Sequence, residues 1–114
     1  MSEYVKVVDK KWGREEWLIN EDYCGKRLVV NKGAQCSLHY HKIKDELFYI
    51  EKGKVIIEHE DKKAELAQGD FMRIKPLENH RFFAVENSII IEISTHHEDS
   101  DSYRLEKAKE KANE

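Results

Sequence analysis

Turn-forming residues divide this chain into short segments, and this division restricts the fold more than any other feature of the sequence. Lys32-Gly33, Lys52-Gly53 and Gln68-Gly69-Asp70 are turn signals of this kind. Between the turns, polar and apolar residues tend to alternate, as in strands with one buried face. The pattern predicts ten strands, at residues 4–8, 16–20, 26–31, 36–41, 46–51, 54–59, 63–66, 71–74, 80–85 and 88–94. It indicates an all-β fold, an antiparallel sandwich or small barrel.

The C-terminal end of the chain is predicted to form a loop and a helix instead of strands. Residues 94–101 are polar and predict a loop. Ser100 or Asp101 could cap a short C-terminal α-helix over residues 103–111. The apolar stripe of that helix would be Leu105, Ala108 and Ala112. We therefore predict a single domain over residues 1–114, with a barrel at about 4–95 and a polar loop and helix at 96–114.

Two histidines and one carboxylate have a spacing that suits a metal site. His39 and His41 are separated by one residue, so a strand would direct both imidazoles to the same side. Residues 42–45 are long enough to turn a hairpin, which would bring Glu46 beside the two histidines. Two nitrogens and one oxygen on one face form a set that divalent transition metals accept.

His80 is predicted to be a fourth ligand. It follows the turn at Gly69-Asp70, a short strand and a loop with Pro76, which cannot donate to a sheet ladder. His80 begins the next strand and shares a face with Phe82 and Ala84. Across a closed barrel this face can meet the histidine hairpin. Three imidazoles and one carboxylate would leave one or two metal positions open for water or substrate.

The spacing of these residues resembles that of the cupin family. Gly33, His39, His41, Glu46 and Gly53 match the first cupin motif completely. The stretch from Gly69 to His80 resembles the second motif, but departs from it at Lys75, Leu77 and Ala84. The resemblance implies a double-stranded β-helix (a cupin or jelly-roll barrel), a bound divalent transition metal (Zn, Mn, Fe, Ni or Co) and often a homodimer.

Outside the motifs, the chain is similar to the small sugar-phosphate cupins that are related to mannose-6-phosphate isomerases. The similar pieces are Lys11-Trp12-Gly13, Lys26-Arg27-Leu28, Ser37-Leu38, His80-Arg81-Phe82 and the acidic stretch before Arg104. The resemblance implies a small sugar or sugar phosphate as substrate and aldose–ketose isomerisation as the reaction. Those isomerases usually have glutamine at the position of His39.

Lys26 and Lys44 are the predicted substrate-binding residues. Lys44 precedes Glu46 in the hairpin loop, and Lys26 shares a strand face with Leu28 and Val30. Either ammonium group could pair with a phosphate or carboxylate of the substrate. The catalytic base cannot be assigned from the sequence, although Glu92 is one possible choice.

Two other functions fit the same residues. Three histidines and a glutamate also suit the redox-active metals of a dioxygenase or another redox enzyme. A non-catalytic module that binds a saccharide or metabolite is the other alternative, because one fold hosts many functions.

Charge and hydropathy limit the partners we expect. The net charge of -3 is mixed along the chain, which argues against nucleic-acid binding. No long apolar run or secretory signal is present, so we expect no membrane span and a cytoplasmic location. Tyr40, Leu47 and Tyr49 make both sides of the metal hairpin apolar. A strand covered on both faces favours a second sheet or a partner subunit, hence a homodimer.

Overall fold

The computed structural model describes residues 3–112 and confirms the predicted all-β fold. Two antiparallel sheets hold eleven strands. They are β1 Lys6–Lys10, β2 Gly13–Asn20, β3 Tyr23–Val30, β4 Leu38–His41, β5 Glu46–Lys52, β6 Lys54–His59, β7 Lys62–Ala67, β8 Phe71–Ile74, β9 His80–Ala84, β10 Ser88–Thr95 and β11 Ser102–Glu106. The order is β1-β2-β3-β10-β5-β8 in one sheet and β11-β4-β9-β6-β7 in the other. Within the described residues no helix is long and apolar enough to cross a membrane.

The core lies between the sheets and follows the two-residue period of the strands. On β3, buried positions alternate with more exposed ones, so Lys26 shares the inner face with Leu28 and Val30. On β9 the inner face carries His80, Phe82 and Ala84. Polar residues with metal-binding or charged groups are therefore inserted into rows of apolar core residues.

The hairpin between β5 and β6 depends on a glycine. Gly53 has φ of 86°, in the left-handed region that side chains disfavour. A Cβ atom there would also overlap Ser88 Oγ and the carbonyl of Asn87. The last glycine of the first motif is therefore required by the turn and by its packing.

The predicted C-terminal helix is wrong. A short 3-10 turn at Asp99–Asp101 leads into β11, which pairs with β4, and Lys109 forms an isolated bridge with Gln35. The proposed apolar stripe was too weak to be buried, since Leu105 is 52% exposed. In the strand, by contrast, the backbone satisfies the free edge of β4, and Tyr103 stacks on Tyr40.

Candidate metal centre

Three histidines converge on the inner side of neighbouring strands. His39 on β4 and His80 on β9 are directly paired across the sheet, and His41 lies two residues beyond His39. The ring centroids of His39 and His80 are 4.4 Å apart, and those of His39 and His41 are 5.0 Å apart. One ring nitrogen from each histidine lies within 4.8 Å of the other two. This cluster can hold a metal ion.

Each of the three rings is oriented by a backbone carbonyl. The Nδ1 contacts are to Ser37 O for His39 (2.7 Å), Asp101 O for His41 (3.1 Å) and Glu78 O for His80 (2.9 Å). A carbonyl only accepts, so each Nδ1 must carry the proton that it donates. In a neutral imidazole this leaves Nε2 with a free lone pair, which is the state that binds a metal.

Glu46 closes the cluster from the start of β5. The predicted hairpin is wrong, because β4 and β5 belong to different sheets and residues 42–45 connect one sheet to the other. Its Oε2 atom lies 3.2 Å from His41 Nε2 and 3.1 Å from His80 Nε2. Burial alone would raise the pKa of Glu46, but His41, His80 and the Lys44 ammonium hold it well below its usual range. The pKa of His39 is lowered to about 3, first by burial and then by the other histidines. Glu46 is thus a carboxylate and His39 a neutral ligand.

Two buried polar atoms at this point have no partner. Within residues 3–112, neither Glu46 Oε2 nor His80 Nε2 makes a hydrogen bond of acceptable geometry. An unpaired buried polar group is costly, and here two such atoms lie 3.1 Å from each other. A divalent cation among these atoms would satisfy both at once. The donor set of three imidazoles and one carboxylate therefore fits a divalent metal.

Lys44 joins the centre to a second carboxylate. Its Nζ atom lies 2.6 Å from Glu92 Oε2, 3.7 Å from Glu46 Oε1 and 3.1 Å from His97 Nδ1. Burial disfavours the ammonium, but Glu92 and Glu46 outweigh this effect and raise the pKa of Lys44. Lys44 is a fixed cation that holds two carboxylates in place. Lys44 lies in the loop between β4 and β5, but its side chain is buried.

Lys26 is also buried and engaged. Its side chain is 1% exposed, and Nζ lies 3.5 Å from Glu15 Oε1. The ammonium also sits over the ring of Trp17, 4.0 Å from its centroid. Lys26 points into the barrel, and the structure pairs it with groups of this chain. Its role in substrate binding stays a prediction, as does that of Lys44.

Asp101 holds the loop between β4 and β5, a role that the sequence did not reveal. Its carboxylate accepts hydrogen bonds from the backbone N–H groups of Lys42, Ile43 and Lys44 at 2.9 to 3.3 Å. Its carbonyl accepts the Nδ1–H of His41. The side chain predicted to cap a helix instead ties the C-terminal segment to the loop between two predicted ligands. No local pattern predicts this contact, which spans nearly 60 residues.

We expect Asp101→Ala to weaken metal binding by about 10- to 100-fold, the usual effect of removing a contact that orients ligands. The alanine would leave the backbone N–H groups of residues 42–44, in the loop between β4 and β5, without their acceptor. It would also release His41 from its fixed orientation. A competition titration with a chromophoric chelator measures the change. Asp61→Ala, in an exposed turn, is the control. An unchanged affinity in Asp101→Ala would show that the loop holds its shape without this carboxylate.

A cavity of about 980 Å³ surrounds the cluster. Trp12, Leu28, Phe48 and Phe82 form apolar walls beside His39, His41 and Glu46. Lys26, Lys44 and Glu92 also line it, and Lys11, Arg104 and Lys107 add exposed cations. The cavity has room for a molecule of sugar size, with polar and apolar surface available to it.

Comparisons with known proteins agree with this architecture. The family model described as "Cupin domain" matches residues 26–95, and no curated protein matches the sequence. KdgF from Halomonas sp. is 20% identical, with a TM-score of 0.77 over 88% of this chain and 97% of that one. An RmlC-like cupin from Shewanella frigidimarina is 18% identical, with a TM-score of 0.75 over 83% and 86% of the two chains.

Larger proteins contain a similar unit. Oxalate decarboxylase from Bacillus subtilis is 16% identical and has a TM-score of 0.77. The match covers 88% of this chain and 30% of the decarboxylase. At these identities the structural likeness shows the fold alone.

Proposed function

The chain belongs to the cupin family, and from this premise we propose that it is a metal-dependent enzyme that isomerises a small sugar or sugar phosphate between aldose and ketose. One observation carries the proposal. The carboxylate of Glu92 and the cluster of His39, His41 and Glu46 line a single cavity, and the Lys44 ammonium connects Glu92 to Glu46. A base beside a metal centre is the arrangement that proton transfer next to a carbonyl requires.

His39, His41, Glu46 and His80 would hold a divalent transition metal, with Zn, Mn, Fe, Ni and Co as the candidates. When bound, such a metal polarises a carbonyl or neighbouring hydroxyl oxygen and so makes the adjacent C–H more acidic. The apolar walls around the cluster limit the access of water and strengthen the electrostatic interactions inside the cavity.

Glu92 is the proposed base. Its carboxylate takes the proton from the hydroxyl-bearing carbon and is briefly a carboxylic acid. It then returns that proton to the neighbouring carbon, while the hydroxyl proton passes to the former carbonyl oxygen. Lys44 contacts Glu92 throughout and keeps its oxygen in place, and Ser94 Oγ donates a second hydrogen bond to the same oxygen at 3.2 Å.

The histidine-rich ligand set also supports a second candidate, a dioxygenase or another redox enzyme. His39 makes the set three imidazoles and one carboxylate, which suits iron, manganese, nickel and copper as well as zinc. Metal content measured together with oxygen consumption separates the two, because zinc without oxygen uptake would contradict the redox enzyme. Oxygen uptake by the reconstituted protein would favour the redox enzyme.

The test of the isomerase uses protein loaded in turn with each of the candidate metals. Hexose and pentose phosphates, with mannose 6-phosphate first, are incubated with each form, and aldose and ketose are quantified by NMR in deuterated water. We expect interconversion with deuterium incorporated at the carbon next to the carbonyl. Binding without interconversion under every metal would contradict the isomerase and leave a metabolite-binding module.

We also propose that the protein is a cytoplasmic homodimer. Both cysteines, Cys24 and Cys36, are buried free thiols, as suits a reducing compartment. The outer face of the six-stranded sheet exposes large apolar side chains, including Tyr23, Tyr49, Phe71 and Ile93. Tyr49 is paired with Phe71 across β5 and β8, so part of the apolar surface is continuous. A second copy of the chain would cover this face.

Ile93→Glu is expected to shift the protein from dimer to monomer, with at least a tenfold weaker association. Ile93 is 56% exposed near the middle of the sheet face, and a charge buried there without a partner would oppose docking. Light scattering coupled to size-exclusion chromatography measures the mass. Leu105→Glu is the matched control, because Leu105 is 52% exposed on the other sheet. A variant that remains a dimer like wild type would place the interface elsewhere.

A further inference from the structure

The cations that line the cavity fall into two groups. Lys26 and Lys44 lie deep in the barrel, and both have carboxylates of this chain beside them: Glu15 for Lys26, and Glu46 and Glu92 for Lys44. Their charges are therefore already compensated. Lys10, which also lines the cavity, belongs with them because its Nζ lies 3.9 Å from Glu15 Oε2. An anionic ligand would have to compete with these contacts.

The other group lies in more open positions and is not paired. Lys11, Arg104 and Lys107 also line the cavity, and within residues 3–112 none of them forms a salt bridge. Lys11 and Arg104 come from opposite ends of the chain, in the β1–β2 turn and on β11. We call these three residues the cationic rim. These are the lysine and arginine side chains of the cavity that form no salt bridge within the described residues, although Asp9 and Asp99 also line it.

Arg104 is the member that is placed next to the metal centre. It is the direct cross-strand partner of His39 in the pairing of β11 with β4. Directly opposed residues of an antiparallel pair point to the same face, with Cβ atoms about 5 Å apart. Arg104 therefore faces the cavity, while its neighbour Tyr103 stacks against Tyr40 on the opposite face. A long guanidinium side chain on this face can reach a ligand whose other end lies at the histidines.

We infer that Arg104, supported by Lys11 and Lys107, binds an oxyanion group on the substrate, a carboxylate or a phosphate. The inference rests on the proposed function, because it concerns the ligand of the same cavity. The planar guanidinium donates two parallel hydrogen bonds, which match the spacing of carboxylate and phosphate oxygens. The cavity thus selects a sugar phosphate or sugar acid over a neutral sugar. Arg104 sets this specificity and takes no part in the proton transfer.

The experiment measures binding by calorimetry to zinc-loaded protein, so that it does not depend on turnover. The probes are D-mannose 6-phosphate, D-gluconate and neutral D-mannose, which separate phosphate, carboxylate and uncharged ligands. In Arg104→Ala we expect affinity for at least one anionic probe to fall by about 10- to 100-fold, while D-mannose binds as it does to wild type. Arg104→Lys should recover part of the loss, since it keeps the charge but not the two-pronged geometry.

Arg73→Ala is the control, because it removes the same charge from an exposed site where Arg73 pairs with Asp45. An equal loss of anion affinity in Arg73→Ala would show that only the net charge of the protein matters, and it would overturn the inference. So would anion binding that survives Arg104→Ala but is abolished by Lys26→Met, which would place the oxyanion at the buried lysines. If anion binding depends on Arg104 but no isomerisation is detected, the inference about Arg104 is supported. Only the proposed isomerase activity is then contradicted.

Discussion

Replacing His80 with alanine is expected to lower the affinity for a divalent metal by at least ~100-fold, more than the loss of a residue that only orients a ligand. His80 is completely buried, and its Nε2 lies 3.1 Å from Glu46 Oε2 with no hydrogen-bond partner of its own within residues 3–112. The substitution removes one of the three imidazoles and leaves the carboxylate with fewer neighbours. A chelator competition titration gives the affinity, and elemental analysis gives the metal content after purification.

The loss of metal affinity in His80→Ala should also be measurable as a difference in thermal stability. At a free metal concentration of 100 times Kd, binding stabilises the folded wild-type protein by about 2.7 kcal/mol. For a domain of this size that raises Tm by roughly 10 °C. We expect wild type to show this increase and His80→Ala to lack it.

His96→Ala is the control for the His80 experiment, since His96 is exposed and lies outside the cluster. Both variants are first compared by circular dichroism without metal, so that a folding defect is not mistaken for loss of a ligand. Full metal content and an unchanged Tm increase in His80→Ala would contradict the proposed ligand set.

Replacing Glu92 with glutamine is expected to lower kcat by about 100- to 10,000-fold, the range for loss of a general base. The side chain is 4% exposed and contacts Lys44 at 2.6 Å, and glutamine keeps the size and an oxygen that can accept that hydrogen bond. The amide cannot take up a proton from carbon. Metal content and KM should therefore stay near those of wild type while kcat falls.

Two measurements on Glu92→Gln show whether Glu92 acts as the base or only supports the structure. Exchange of the substrate C–H with deuterated water should be lost together with turnover. Glu65→Gln, whose carboxylate is exposed and only weakly paired with Lys54, is the control. Loss of metal from Glu92→Gln, or exchange at the wild-type rate, would show that Glu92 is not the base.

The strand pattern was predictable because it is local. A two-residue period and glycine turns predicted ten strands, and the structure has strands at all ten places. The eleventh, β11, was predicted as a helix, because Leu105 and Ala108 have helical spacing. What decides its conformation is the open edge of β4, which is more than 60 residues away in the sequence. A short segment without strong preference takes the conformation that satisfies its backbone.

The metal cluster was predictable for a related reason. His39 and His41 share a face of β4, as their spacing of two residues predicts. Glu46 begins β5 in the other sheet, so its approach to the histidines comes from the packing of the two sheets and not from a hairpin. His80 was expected to meet the histidines across a closed barrel, but the structure places it next to His39, on the neighbouring strand of the same sheet. The contacts that hold the cluster in place could not be predicted from spacing. Asp101 and Lys44 act through contacts between segments that are distant in the chain.

The sequence by itself determined the strands, the turns and the common face of His39 and His41, because each depends on a spacing of a few residues. Only the tertiary structure decided which charges are available to a substrate. It buried Lys26 and Lys44 against carboxylates and set Arg104 beside His39 with no acidic partner in the described chain. Whether a charge is compensated depends on which distant groups the fold brings within a few ångströms, and no local spacing encodes that.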